Sequence, residues 1–202
     1  MKCICIGRNY GEHAKELNNP VPENPVVFLK PSTAVLHGKD FYHPEFSNDI
    51  HYECELLVRI GKQGKHIAKE FAHHYIDALS VGIDFTARDV QARQKEKGLP
   101  WEIAKAFDQS AVVGQWVTWD KQQDLTDCFF GLQRNQQWVQ QGNSRDMLFP
   151  ITDIIHYVSR YFTLQQGDVL FTGTPAGVGK INIGDHLEGY LLQQKLLEVF
   201  IK

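Results

Sequence analysis

Side chains with chemical capability stand in unusual places in this 202-residue chain. His51-Tyr52-Glu53-Cys54-Glu55-Leu56-Leu57-Val58-Arg59-Ile60 reads as a buried strand, with Leu56, Val58 and Ile60 on one side of the alternation and Leu57 on the other. Its first half places Glu53 and Glu55 two residues apart, hence on one face and roughly 6–7 Å from each other. Two carboxylates that close repel unless something positive sits between them. A divalent cation meets that need, taking oxygen ligands at about 2.0–2.6 Å. The alternative is that this end of the strand projects into solvent and both glutamates are hydrated.

Asp84 is a third acid in an odd position, bracketed by Ile83 and Phe85 at the end of an apolar stretch. A buried aspartate needs a partner. It serves either as the N-cap of a helix starting near Thr86 or as a companion to Glu53 and Glu55. A set of oxygen donors with no Cys or His favours Mg²⁺ or Mn²⁺, with waters or substrate completing the octahedron. His13 and Glu16 sit at i and i+3, on one face of a short helix. A carboxylate beside a histidine fixes its tautomer and raises its basicity, as a general base requires; a solvated helix pair is the other reading. Lys105 lies in the apolar run Ile103-Ala104-Lys105-Ala106-Phe107, where its stem covers core or its ammonium meets an anionic substrate. Arg88 and Gln91 either hydrogen-bond an incoming carboxylate or form a solvated helix face. Gly173-Thr174-Pro175-Ala176-Gly177 resembles an anion-binding turn but lacks the lysine and spacing of a P-loop.

The elements that must position these groups are short. Lys2 to Ile6 reads as a strand, and Gly11 to Leu17 as a polar helix between two loops, a candidate mobile flap. Three prolines prevent regular structure between Asn18 and Pro25. Val26 to Leu29 resumes as a strand, Gly61 to Gly64 as a hairpin-type turn, and Ile67 to His74 as a short helix. Tyr75 to Phe85 is a buried strand, and Ala87 to Lys97 a charged helix. Further strands are expected over Ala111 to Trp119, Cys128 to Gln133, Gln136 to Gln140 (after a turn at Arg134-Asn135), Val169 to Thr172 and His186 to Ile201. Ile151, Ile154, Ile155, Val158 and Phe162 mark an amphipathic helix over Pro150 to Phe162. Strand outweighs helix, with no linker or repeat, so residues 1–202 are expected to be one domain.

The net charge of −3 provides no basic footprint for nucleic acid or an anionic membrane. No apolar run reaches a membrane span, and Met1 to Gly7 is too short for a secretory signal. Four cysteines are too few for a disulfide framework, so Cys3 and Cys5 read as reduced core residues and the chain as cytoplasmic.

Considered together, these stretches resemble the fumarylacetoacetate hydrolase family, in particular its short acylpyruvase and oxaloacetate decarboxylase members. The matching blocks are Gly7-Arg8-Asn9-Tyr10 with His13 and Glu16, Phe28-Leu29-Lys30-Pro31-Ser32, Glu53-Cys54-Glu55-Leu56, Asp84-Phe85-Thr86-Ala87-Arg88-Asp89, Lys97-Gly98-Leu99-Pro100-Trp101 with Lys105, and Thr172-Gly173-Thr174-Pro175 with Gly177-Val178-Gly179. They occur in the family's order across nearly the whole chain. Members of this group usually begin with further residues, which implies an abbreviated first strand here.

The resemblance implies an α+β, mostly β, catalytic domain, with a mixed sheet rolled into a barrel-like sandwich, a few peripheral helices and homodimeric assembly. It implies Mg²⁺ or Mn²⁺ on Glu53, Glu55 and Asp84, and a His13–Glu16 dyad on a lid. Lys105 and Thr174 would line the substrate site, with Arg8, Arg88 and Gln91 as further contacts. Cys54 should point to the other face and take no part. The expected activity is metal-dependent hydrolysis of a 3-acylpyruvate, a small 2-oxo acid, with oxaloacetate decarboxylation open to the same site. Tautomerisation or hydration of a related 2-oxo acid is the alternative chemistry, and an inactive binding module the non-enzymatic one.

Overall fold

The computed structural model describes residues 1–16, 20–120 and 124–202. In chain order the elements are β1 (Cys3–Gly7), α1 (Gly11–Glu16), β2 (Val26–Lys30), β3 (Asp40–Phe41), β4 (Ile50–Tyr52), β5 (Cys54–Ile60) and β6 (Ile76–Asp84). After β7 (Thr86–Ala87) come α2 (Arg88–Glu96), α3 (Glu102–Lys105), β8 (Ala111–Val113), β9 (Val117–Thr118), β10 (Phe129–Arg134) and β11 (Gln137–Asn143). The chain continues through α4 (Ile151–Tyr161), β12 (Val169–Phe171), β13 (Gly179–Lys180), β14 (His186–Leu191) and β15 (Gln194–Ile201).

A mixed sheet runs β2-β1-β12-β5-β6-β8, with β9 also on β6; only its β1–β12 pair is parallel. It curls into a half-barrel and packs against the second sheet, β11-β10-β14-β15-β3, where β5 and β6 meet β10 and β14. A small sheet of β13, β4 and β7 closes one end. The architecture is the mostly β, α+β arrangement the resemblance implied.

Period-2 alternation explains how the central strands serve two cores. Ile4, Ile6, Cys54, Leu56, Val58 and Ile60 enter the main core between the sheets. Cys3, Cys5, Leu57, Val169 and Phe171 form a second core on the opposite face. The cysteines are buried free thiols, and burial pushes Cys3 up to about 11. Each buried Leu or Ile contributes roughly 1.5–3 kcal/mol. α4 buries the expected stripe of Ile151, Ile154, Ile155 and Val158, with Pro150 at its N-cap.

Several expectations needed correction. The strand expected from His51 to Ile60 is interrupted at Glu53, where the chain passes from the small sheet to the large one. Gly61 to Gly64 is no hairpin turn: β5 reaches its partner β6 through residues 61–75, including a 3-10 helix at Lys69–Tyr75. Gly64 instead bridges Leu164, and a Cβ there would lie 2.3 Å from the Tyr75 ring. The strand expected over Ala111 to Trp119 splits into β8 and β9, because Gly114 N–H bonds Val81 O whereas Gln115 N–H bonds Leu196 O in the other sheet. The β10–β11 turn centres one residue later than expected, with Asn135 and Gln136 at φ 53° and 67°. Leu17, the expected end of the flap helix, and Asn18 and Asn19, the start of the expected loop, lie outside the described residues.

Candidate active site

Three acids converge where β5 and β6 begin and end. Glu53 lies in the break before β5, Glu55 on β5 opposite Gly82, and Asp84 at the end of β6. All are buried, and one oxygen of each lies within 4.8 Å of the others. The local backbone is secured by bonds outside the ordinary ladder. Asp84 N–H donates to Glu53 O at 2.8 Å, Cys54 N–H to Gln140 Oε1 at 2.8 Å, and Thr174 Oγ1 to Cys54 O at 2.8 Å. Cys54 turns into the main core as expected. The N-cap reading of Asp84 is excluded, because α2 is capped at Ala87 without a side-chain bond.

Two lysines enter this acidic group. Lys105, at the end of α3, donates to Glu53 Oε2 and Asp84 Oδ2 at 2.7 Å each and to Thr86 Oγ1 at 2.6 Å. The reading of Lys105 as a stem covering core gives way, because its buried ammonium is held by Glu53, Asp84 and Thr86. Lys30, fully buried at the end of β2, lies 2.7 Å from Asp84 Oδ1. Its aligned bonds go instead to Ser110 Oγ at 3.0 Å, Ser110 O at 3.1 Å and Lys105 O. Asp84 Oδ1 therefore has an adjacent positive charge but no aligned donor. Sequence reading assigned Lys30 no role, although a lysine ending the apolar run Val-Val-Phe-Leu was the available signal.

The acids differ in electrostatic supply. Burial pushes Glu53 up, but Lys105, Arg88 and His13 outweigh it and hold the carboxyl well below the usual range. Burial pushes Glu55 far above that range, and Asp84 and Glu53 add to the rise. Glu55 accepts Gly173 N–H at 2.7 Å, which offsets only part of that cost. An oxygen-only trio with an undersupplied member and an aspartate oxygen that has no aligned donor fits a hard divalent cation such as Mg²⁺ or Mn²⁺.

On the opposite wall, His13 Nδ1 lies 3.3 Å from Glu16 Oε2, and Glu16 also accepts Gly177 N–H at 3.2 and 3.3 Å. α1 is anchored through Asn9, which sequence reading also left without a role. Its Nδ2 donates to Thr172 O at 2.8 Å and Phe149 O at 3.1 Å, while its Oδ1 accepts Phe149 N–H at 2.7 Å. The glycine turn after β12 links both walls: Gly173 N–H serves Glu55, and Gly177 N–H serves Glu16. Its anions are the protein's own carboxylates. Gly177 has φ 96°, and a Cβ there would lie 2.5 Å from Val139 O.

Arg8, His13, Arg88, Gln91, Lys105 and Thr174 line one cavity with the three acids, and Glu16 joins through His13. Arg88 already bonds Glu53 Oε1 and Gln91 Oε1. Lys95 and Trp101 line the same space; sequence reading did not single them out as contacts. The cavity is about 30 Å³, room for an ion or a water. A larger concavity, about 920 Å³, is an apolar groove past Lys30 that contains none of the three acids.

The family described as Fumarylacetoacetate (FAA) hydrolase C-terminal matches residues 2–199. The mitochondrial oxaloacetate tautomerase FAHD1 of Mus musculus is 42% identical over 186 residues, covering 92% of this chain and 84% of that protein. The mitochondrial oxaloacetate decarboxylase of Dictyostelium discoideum is 38% identical, covering 91% and 85%. The structure of fumarylpyruvate hydrolase from Pseudomonas aeruginosa in complex with Mn²⁺ and pyruvate aligns with a TM-score of 0.93 at 35% identity, covering 100% of this chain and 89% of that one.

Proposed function

This chain belongs to the fumarylacetoacetate hydrolase family, and from that premise we propose that it hydrolyses a carbon–carbon bond in a 3-acylpyruvate in a reaction dependent on Mg²⁺ or Mn²⁺. The observation that carries this reading is the meeting of the His13–Glu16 pair with Glu53, Glu55 and Asp84 around one cavity. Glu53, Glu55 and Asp84 would hold the ion, which when bound would supply Lewis acidity toward the 2-oxo acid end of the substrate. Glu16 holds His13 Nδ1–H, leaving Nε2 to take a proton from water. The water oxygen adds to the distal carbonyl carbon, the bond from that carbon to C3 breaks, and C3 regains a proton. The products are pyruvate and a carboxylic acid. Lys105 and Thr174 line the substrate, and Arg8, Arg88 and Gln91 face its anionic groups.

Ligand pockets usually exceed about 300 Å³, so a cavity of about 30 Å³ admits substrate only when a wall moves. α1, which carries the His13–Glu16 pair, acts as the lid, excluding bulk water once closed. Oxaloacetate decarboxylation or tautomerisation is the second reading. It is favoured by the names of the mouse and Dictyostelium relatives and needs proton transfer without water attack. Product NMR after incubation with acetylpyruvate, fumarylpyruvate and oxaloacetate separates the readings. Acetate or fumarate together with pyruvate supports hydrolysis; intact acylpyruvates beside converted oxaloacetate replace it.

The proposal extends to one catalytic domain over residues 1–202, working as a cytoplasmic homodimer on a small molecule rather than on nucleic acid or membrane. The charge of −3 and the free buried cysteines support it, and among the described residues no helix is long and apolar enough to cross a membrane. Sedimentation of the purified chain tests the dimer.

A further inference from the structure

β12 pairs with β5 over Leu57 to Arg59 and ends at Phe171. Thr172 N–H still reaches Leu56 O at 3.2 Å, and the chain then leaves the ladder as the turn Gly173 to Gly177. The backbone of Cys54, between two of the acids, takes side chains as partners there. Its N–H donates to Gln140 Oε1 and its carbonyl accepts from Thr174 Oγ1, both at 2.8 Å. Leaving a buried amide unpaired would cost about 1–3 kcal/mol.

Gln140 closes this circuit. Its Nε2 donates to Thr174 Oγ1 at 2.8 Å and to Pro175 O at 2.9 Å, so the buried amide uses its acceptor and both hydrogens. A backbone N–H only donates and a carbonyl only accepts, which fixes the orientation of the amide. Gln140 arrives from β11, the edge strand of the second sheet, beside an irregularity in the ladder. Leu132 faces Gln140 and Gln133 faces Trp138, so Val139 is the extra residue of a bulge. A bulge re-aims the side chain next to it. Two residues on, Gly142 also abuts the turn, where a Cβ would lie 2.9 Å from Pro175 Cγ. The clamped pair, Thr174 and Pro175, is the middle of a turn that is used at both ends. Gly173 N–H serves Glu55 Oε2 at 2.7 Å, and Gly177 N–H serves Glu16 at 3.2 and 3.3 Å. Each donor lies within two residues of the clamp, so a displacement of Thr174 and Pro175 shifts both.

We propose that Gln140 is a positioning residue of this site, its amide clamping the turn to Cys54 and so fixing Glu55 and Glu16 relative to each other. The inference rests on the reading of Glu53, Glu55 and Asp84 as the ion's ligands and of His13 with Glu16 as the dyad. Gln140 stands behind Thr174, which lines the cavity, and acts through it and through Cys54.

The test is Gln140→Met, which keeps the length of the side chain and removes its hydrogen bonds. Mn²⁺ binding is followed by EPR, and kcat on whichever of acetylpyruvate, fumarylpyruvate and oxaloacetate the wild type converts, at a temperature where circular dichroism shows the variant folded. The substitution is expected to weaken Mn²⁺ binding and to lower kcat, each by about 10–100-fold. In a Glu16→Gln background it should lower kcat by about twofold at most, because the group it positions is already gone. A residue that only stabilised the fold would lower the melting temperature and leave both quantities unchanged in the folded protein. Mn²⁺ affinity or kcat within about twofold of the wild type overturns the inference, as does the full kcat loss repeated in the Glu16→Gln background. Either result leaves the reading of the site standing. If Gln140→Met does not fold, Gln140→Glu takes its place and is judged by the same outcomes; it keeps the shape and the acceptor for Cys54 N–H but loses the donors to Thr174 and Pro175. A wild type that binds no Mn²⁺, or converts none of the three acids, overturns the reading itself and the inference with it.

Discussion

Asp84 and His13 face the same cavity but are held in contrasting ways. Asp84 ends a nine-residue central strand, has both lysines beside it and is fully buried. His13 rides on a six-residue helix, and its partner Glu16 has a side chain 34% exposed, bonded at 3.2–3.3 Å. The acidic floor is determined several times over by the sheets, whereas the ties described for the dyad wall include the Asn9 bonds, the Tyr10 bridge to Met147 and the latch from Glu16 to Gly177 N–H. Under the proposed function the two regions take separate tasks, the floor holding the ion and the dyad wall moving the proton.

The sharpest way to break this comparison is Glu55→Gln. Removing one floor ligand is expected to abolish metal-dependent turnover and Mn²⁺ binding together, read by EPR titration of free Mn²⁺. Persistence of either signal would place the ion elsewhere. His13→Ala should reduce turnover by about 10²–10⁴-fold while Mn²⁺ affinity stays within twofold; coupled loss of both would mean that floor and wall are one unit. Lys30→Met leaves Asp84 and Ser110 without their buried cation and should cost about 3–5 kcal/mol in urea unfolding. A neutral effect there would show the floor to be less constrained than its contacts indicate.

The smallest effect expected is a pH dependence of the metal-free protein. Glu55 is raised in the folded state, so its contribution to stability is complete below the unfolded value near 4.3 and is lost as pH rises toward the folded value. Glu53 is lowered, so its contribution is present above the unfolded value and lost as pH falls toward the folded one. In EDTA, the urea midpoint should therefore decline from pH 5 to pH 7, and Glu55→Gln should flatten the decline. An unchanged slope in that variant would remove Glu55 as its source.

The chemistry was legible wherever it depended on residue type and near spacing. Glu53 with Glu55, Asp84 between two apolar neighbours, and His13 with Glu16 each had a structural explanation of its own, and stood out because they occur together in the family's order of motifs. The groups that hold them were hidden. Lys30 reads as an ordinary strand end, Gln140 as one of many polar residues on β11, and Asn9 as a loop residue. Their importance lies in what sits opposite: Thr172 is 163 residues from Asn9, and Cys54 is 86 from Gln140.

By itself, then, the sequence determined the alternating strands, the α4 stripe, the order of motifs and the acids and base available for chemistry. Short-range sterics and hydrophobic periodicity act within a few residues and leave their pattern in the chain. Only the tertiary structure decided that Lys105 turns its ammonium onto the acids, that Lys30 joins it, and that the turn at Gly173 to Gly177 serves Glu55 and Glu16 at once. Those bonds span 118 and 161 residues. They form because a buried carboxylate must find a donor wherever the sheets bring one, and no local pattern records which donor that is.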